Sequence, residues 1–165
     1  MRTLIIVLGL ILVGCESPKK DYDFTFFKWN IHESYYLKFN SSDTLYYTNV
    51  YGFKKETYFT ILNDEEKERI YNILDTITFP KKDSYESLVE DGETNAFVLK
   101  YKNQLKKLKI HGHNGSILFR LFGKSLDRIK IDHEFTKTDK KIDLREINKM
   151  VIMKVPPTFV VDTLK

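Results

Sequence analysis

The sequence is short of cysteine, because Cys15 is the only one among its 165 residues. A single cysteine excludes an internal disulfide, and it excludes a zinc site built from several thiolates. If Cys15 is itself modified, the folded part also lacks a thiolate nucleophile. That part must therefore rest on its hydrophobic core, for which the composition supplies 12 Phe and 10 Tyr.

Proline and glycine are also scarce, and neither sign of charge is in large excess. The chain has 4 Pro and 7 Gly and no internal repeat, which argues against a low-complexity or repeat protein. Its 27 basic and 23 acidic residues give a net charge of +4, which is too small an excess to indicate a nucleic-acid partner. The length suits a single domain, and we predict no cofactor.

The sequence has one long hydrophobic run, from Leu4 to Val13. Its ten residues span only about 15 Å as a helix, whereas a membrane-spanning helix needs about 20 residues. Arg2 precedes the run and Gly14 follows it, as in a secretory signal peptide. We therefore predict that residues 1–14 are a leader that is removed. An uncleaved transmembrane anchor is the alternative.

The end of this run, Leu12-Val13-Gly14-Cys15, resembles the lipobox of bacterial lipoproteins. The resemblance implies that the Cys15 thiol receives a diacylglyceryl group and that Cys15 becomes the first residue of the mature chain. Two or three acyl chains anchor a protein lastingly, where one chain is marginal. We expect residues 15–22 to be the lipidated cysteine and a polar tether, and residues 23–165 to be one domain. An ordinary signal peptide is the alternative.

Alternation of apolar and polar residues predicts an antiparallel sheet. The short connections between successive runs favour a meander, because parallel strands need longer crossovers. Two further runs, from Phe97 to Lys102 and from Lys107 to His111, predict a hairpin with its tip at Asn103-Gln104. The meander strands are predicted over residues 24–29, 35–40, 44–51 and 57–62, and polar loops over residues 81–93 and 137–141.

Three segments have the pattern of helices. Asn63 and Glu66 have the spacing of a capping box, and Asp143 and Glu146 repeat it before a short third helix that ends near Met150. An extended tail follows. The apolar stripes of the first two helices are Ile70, Ile73, Leu74 and Ile77, and Ile117, Leu118, Leu121, Phe122, Leu126 and Ile129. The prediction is an α+β fold, an antiparallel sheet (meander plus hairpin) with two main helices packed on one face.

Several stretches between about Tyr35 and Ile131 resemble a family of small uncharacterised lipoproteins from Bacteroidota-type bacteria. They are the strand-turn-strand YYLKFNSSDTLYY, the helix start LNDEEKERIYNIL, and the turn KIHGH followed by an apolar helix containing LDRI. The resemblance implies the fold, and it implies no catalytic residues.

His111 and His113 are candidate metal ligands. Two histidines two positions apart on a strand point the same way and suit Zn or Cu, with Asp132 or His133 as a third ligand. No HExxH or similar motif accompanies them. The alternative is a strand end with a glycine turn, and we therefore predict no metal site.

An acidic segment suggests a second kind of site, for Ca²⁺. Its four carboxylates lack the alternating spacing of a calcium loop, and a solvated loop is the simpler interpretation. These residues are Glu86, Glu90, Asp91 and Glu93.

The predicted hairpin carries lysines that would share its outer face. Such a patch suits anionic lipid headgroups or an acidic partner, whereas a solvated face that discourages edge pairing is the alternative. The residues are Lys100, Lys102, Lys107 and Lys109, with Lys106 nearby.

Aromatic residues concentrate in the first strands and could form a surface for sugar or peptide. Half of any strand faces the core, so core packing is the alternative, and exposure of Tyr36 beside Tyr46 would decide between them. The residues are Trp29, Tyr35, Tyr36, Tyr46, Tyr47 and Tyr51.

No GxSxG, Walker or GxGxxG motif is present. The leading hypothesis is a membrane-anchored, non-enzymatic binding module of the bacterial envelope. Its partners would be the membrane, through the lipid on Cys15, and an envelope protein, with the domain on the periplasmic side of the inner or the outer membrane. The alternatives are a small metal-dependent or hydrolytic enzyme using the His111/His113 region and a purely structural role.

Overall fold

A computed structural model describes residues 21–52, 55–88 and 92–151 of the chain. The leader, Cys15, all but the last residue of the tether that precedes Tyr22, and the tail after Val151 lie outside these ranges. No helix within them has the length and apolarity to cross a membrane.

The domain is built on one eight-stranded sheet in the order β5-β7-β6-β1-β2-β3-β4-β8. β1 lies inside the sheet and pairs antiparallel with β2 and β6. The predicted meander is confirmed, since β1 to β4 pair successively in antiparallel order. The strands are β1 Tyr22–Trp29, β2 Ser34–Asn40, β3 Thr44–Asn49, β4 Glu56–Ile61, β5 Ser84–Glu86, β6 Thr94–Tyr101, β7 Gln104–His111 and β8 Thr136–Thr138.

Two main helices, α1 Asp64–Thr76 and α2 Ile117–Asp132, pack on one face of this sheet, as predicted. The capping box at the start of α1 is confirmed. Glu66 N donates to Asn63 Oδ1 at 3.0 Å, and Asn63 N donates to Glu66 Oε2 at 2.9 Å. The core beneath the helices is rich in aromatic rings, including Phe24, Phe26, Phe97, Phe119 and Phe122.

The apolar stripe of α2 differs from the predicted one. Phe119 is buried, whereas Ile117, Leu118 and Leu121 are 62%, 63% and 55% exposed. The buried positions are Phe119, Phe122, Leu126 and Ile129, which recur every three or four residues and so occupy one side of the helix. The three exposed residues lie outside that side, and they form an apolar surface on the first turns of α2.

A third helix, α3 Arg145–Val151, forms where one was predicted, but it covers the opposite face of the sheet. Leu144 and Ile147 pack there against Phe27, Tyr36 and Val98. The predicted capping box is not made at this helix. The Asp143 carboxylate instead accepts hydrogen bonds from Arg145, while Glu146 accepts from Lys107 and Lys149.

Two short strands and one turn also depart from the prediction. β5 lies in the expected loop 81–93 and pairs parallel with β7. β8 begins one residue before the expected loop 137–141, covers its first two residues and pairs with β4. The tip of the β6–β7 hairpin is Lys102-Asn103, because Tyr101 pairs with Gln104. Lys102 takes a φ of 52°, in the left-handed region.

Candidate functional site

The structure divides the predicted lysine patch into two groups. Lys107 Nζ lies 2.8 Å from Glu146 of α3, and Lys109 Nζ lies 3.0 Å from Glu86 of β5, so both are ion-paired. Lys100, Lys102 and Lys106 surround the hairpin tip and have no ion pair within the described chain. Lys100, Lys107 and Lys109 share one face of the hairpin, as expected, because Lys107 and Lys109 pair with Val98 and Ala96, which have the same parity as Lys100. Lys106 pairs with Leu99 and lies on the opposite face.

The hairpin tip lies next to the start of β1. Tyr22, the first residue of β1, pairs in register with Tyr101, the last residue of β6. Their ring centroids are 4.5 Å apart. The chain therefore joins the sheet one strand away from Lys102, and the turn at Lys102-Asn103 projects beyond that point.

A group of charges around the buried Lys28, at the other end of β1, was not predicted. The side chain of Lys28 is 8% exposed and forms ion pairs with Asp127, with Glu33 at 3.0 Å and with Glu93 at 3.3 Å. Lys130 pairs with Glu33 at 2.7 Å. Lys28, Glu33, Glu93, Asp127 and Lys130, contributed by β1, α2 and two loops, are called the Lys28 cluster below.

The charges of the Lys28 cluster stabilise one another. Burial alone would lower the pKa of Lys28, but hydrogen bonds to Asp127 and Glu33 raise it above its usual value. Burial opposes ionisation of Glu33, yet hydrogen bonds from Lys130 and Lys28 lower its pKa. Burial raises the pKa of Asp127, with Lys28 opposing that shift. A lysine that holds its proton this firmly is not a nucleophile at neutral pH.

A local sequence signal for this cluster exists in β1. Lys28 has the same parity as Phe24 and Phe26, so a strand places its side chain on their buried face. It pairs across the sheet with Tyr35 and Asn95, and the Tyr35 hydroxyl donates to Asp127. A lysine on a core face needs carboxylate partners. Those partners come from residues 33, 93 and 127, and their proximity follows only from the tertiary fold.

The candidate metal ligands are not brought together. Nδ1 of His111 lies 2.8 Å from Thr94 Oγ1, and β7 ends there. Gly112 has a φ of 71°, so His113 lies in the following turn and not on a shared strand face. His133 contacts Glu66 and the carbonyl of Ile129. Asp132 pairs with Arg128, and no group of three His, Cys, Asp or Glu placed to hold a metal occurs in the described ranges.

The acidic segment is engaged with lysines where it can be described. Glu86 pairs with Lys109, and this hydrogen bond lowers the pKa of Glu86. Glu93 pairs with Lys28. Glu90 and Asp91 lie outside the described residues.

The aromatic residues mostly pack into the two cores. Tyr35, Tyr36 and Tyr46 are buried, so Tyr36 and Tyr46 do not form an exposed pair. Tyr36 donates its hydroxyl hydrogen to Asn148 Oδ1 at 2.8 Å, which ties β2 to α3. Trp29 and Tyr47 are half-buried, and Tyr51 is exposed. The core-packing alternative therefore holds for Tyr35 and Tyr36, whereas Tyr46 is buried outside the two cores with the Lys140 ammonium over its ring.

Comparison with known proteins finds no protein-family model that matches this chain and no curated protein that is similar to it. The likeness to small lipoproteins stays a prediction that rests on the residues quoted above.

Proposed function

We propose that this protein is a bacterial lipoprotein anchored through Cys15, with a non-enzymatic binding module as its folded domain. One observation carries the proposal, namely the short chain between the lipobox-like residues and the sheet. β1 begins at Tyr22, seven positions after Cys15, and Tyr22 is only 1% exposed. The six intervening residues reach at most about 21 Å when fully extended, so a lipid on Cys15 would hold the domain against the bilayer.

The exposed side of α2 supports a binding role. Ile117, Leu118 and Leu121 are neighbours on the helix and are all more than half exposed. Contiguous apolar surface of this kind is typical of sites where proteins interact. An envelope protein is accordingly the partner that the proposal includes.

The alternative function, an enzyme using His111 and His113, gains no support from a contact in the described chain. The His111 ring hydrogen-bonds Thr94, and the turn at Gly112 separates the two imidazoles. The binding module is therefore the better proposal.

Substitution of the lipid-bearing residue tests the anchor. We expect cells that express the wild-type chain and are fed a palmitate analogue to yield a labelled, membrane-retained protein. Cys15→Ala should abolish both labelling and retention, because no other thiol is present. Ser17→Ala, two residues along the tether, is the matched control and should label normally. Continued labelling of Cys15→Ala would contradict the proposal.

A further inference from the structure

The β6–β7 hairpin tip has the charge and the position of a membrane-contacting surface. Lys100, Lys102 and Lys106 surround it, and the last two are exposed. We infer that this tip binds the anionic headgroups of the bilayer that holds the Cys15 lipid. The inference rests on the proposed anchor and adds to it the face that the domain turns towards the membrane.

The chain connectivity places the tip on the membrane side. The tether joins the sheet at Tyr22, which pairs with Tyr101, one residue before the turn. Adjacent strands are about 5 Å apart. A bilayer reached through at most six tether residues is therefore close to the end of the sheet where Lys102 projects.

The other charges at this end of the sheet leave the lysines in excess. The carboxylate of Asp23 pairs with Lys38, and Asp43 pairs with Lys67 at 2.8 Å. Asp21 accepts a hydrogen bond from Ser41 at 2.9 Å and has no ion pair in the described chain. Asp64 shares Lys67 with Asp43, so two negative charges remain there against the three lysines of the tip. Glu16, Lys19 and Lys20 precede Asp21 in the tether and add one net positive charge to this end of the sequence.

The backbone of the turn is unusual for a lysine. Lys102 has a φ of 52°, a region that favours glycine and asparagine. Its ammonium lies 5.1 Å from the centre of the Tyr101 ring. Leu105, 44% exposed, adds an apolar side chain beside the tip. Lysines around an exposed leucine suit the boundary between headgroups and acyl chains, where ammonium groups stay at the polar level.

The attraction has a measurable size. Each lysine near an anionic surface is expected to favour the bound orientation about fivefold. Salt screens the effect over a Debye length of about 8 Å at physiological ionic strength. Loss of three lysines should therefore release the tip while the acyl chains keep the protein on the bilayer.

A fluorescent label at the tip tests this in the full lipidated chain. Asn103→Cys introduces the one free thiol, since Cys15 is acylated, and it carries an environment-sensitive dye. His32→Cys, on the exposed turn between β1 and β2 at the opposite end of the sheet, is the matched label site. Both proteins are reconstituted in vesicles of phosphatidylcholine alone or of phosphatidylcholine mixed with phosphatidylglycerol. Both kinds of vesicle carry the same quencher at the level of the headgroups.

Three results are expected. The dye at residue 103 is quenched in vesicles that contain phosphatidylglycerol and much less in phosphatidylcholine alone, and the difference disappears in high salt. Lys100→Gln/Lys102→Gln/Lys106→Gln abolishes the quenching, whereas the matched triple variant Lys55→Gln/Lys124→Gln/Lys141→Gln, which removes the same charge at exposed positions away from the tip, keeps it. The dye at residue 32 responds to neither lipid. Circular dichroism verifies that both triple variants are folded.

The opposite results separate this inference from the anchor. Equal quenching at residue 103 in both lipids, or quenching that survives loss of the tip lysines, overturns the tip contact while leaving the anchor intact. The inference is also overturned if an acidic protein partner requires these lysines for binding while the dye at residue 103 does not respond to lipid. A protein that floats with neither vesicle and has an unmodified Cys15 by mass spectrometry overturns the anchor and, with it, this inference.

Discussion

At the scale of single residues, Lys28 has the most demanding environment in the described chain. Its buried ammonium is balanced by carboxylates from three different segments, Glu33, Glu93 and Asp127. A buried ion cluster of this kind adds little net stability compared with apolar packing, but removing one partner leaves charges uncompensated. The cluster thus makes Lys28 hard to replace without giving it a catalytic role.

We expect Lys28→Met to lower the free energy of unfolding at pH 7 by about 3 kcal/mol. This value is at the lower end of the usual cost of breaking a buried ion pair, because Glu33 and Glu93 are partly exposed. Burial raises the pKa of Asp127, and without Lys28 it should rise further. A carboxyl whose pKa is raised by folding binds protons more readily in the folded state, so acid stabilises that state.

The difference in the free energy of unfolding between the wild type and Lys28→Met should therefore shrink as the pH falls from neutral towards the usual carboxyl range. Urea unfolding at several pH values measures it. Lys124→Met, at an exposed position on α2, is the control and should change stability by less than about 0.5 kcal/mol. A difference in unfolding free energy that grows as the pH falls would show that the ionisation of Glu33, Glu93 and Asp127 does not depend on Lys28.

At the scale of elements, α3 depends on contacts that its own sequence cannot specify. The helix has only seven residues, too few to be stable alone. Ile147 and the preceding Leu144 are buried against the sheet, and Glu146 links the helix to Lys107 of β7. Tertiary packing therefore decides both that α3 forms and which face it covers.

Glu146→Gln tests this link through its pH dependence. Hydrogen bonds from Lys107 and Lys149 lower the pKa of Glu146 from its usual 4.5 to about 2. A carboxyl whose pKa is lowered by folding stabilises the protein above its unfolded pKa, and the contribution is lost as the pH falls through the folded value.

The variant should thus be less stable than the wild type at neutral pH, and the two unfolding midpoints should converge between about pH 4.5 and pH 2. Urea denaturation across this range provides the measurement. Glu68→Gln, at an exposed acid on α1 with no ion pair in the described chain, is the control and should follow the wild type. A constant difference between Glu146→Gln and the wild type at every pH would contradict the link.

At the scale of the whole molecule, one sheet serves two cores. β1 contributes Phe24 and Phe26 to the core under α1 and α2, and Phe27 to the core under α3. Because the same strand backbone carries both sets, loss of packing on one face destabilises the shared hydrogen-bonded ladder. We therefore expect the two faces to unfold together.

Ile147→Ala tests this expectation. Truncation of a buried isoleucine typically costs about 2–5 kcal/mol, and Ile147 is 1% exposed. Trp29, the only tryptophan in the sequence, packs against the core under α3 and reports on it by fluorescence, while far-ultraviolet circular dichroism reports on the whole sheet. Both signals should shift to the same lower denaturant midpoint. Ile131→Ala, at a position that is 73% exposed, should leave both unchanged. A fluorescence transition that precedes the loss of sheet signal would show that the faces are independent.

The sequence by itself determined the features that depend on neighbouring residues. Alternation specified the meander and the β6–β7 hairpin, and the Asn63–Glu66 spacing specified the start of α1, because side chain and backbone partners there are a few residues apart. Only the tertiary structure decided the rest. β5 and β8 are three-residue strands that exist because an open sheet edge is there to pair with them. The Lys28 cluster joins residues about a hundred positions apart, and the side on which α3 packs depends on a sheet surface formed by other segments.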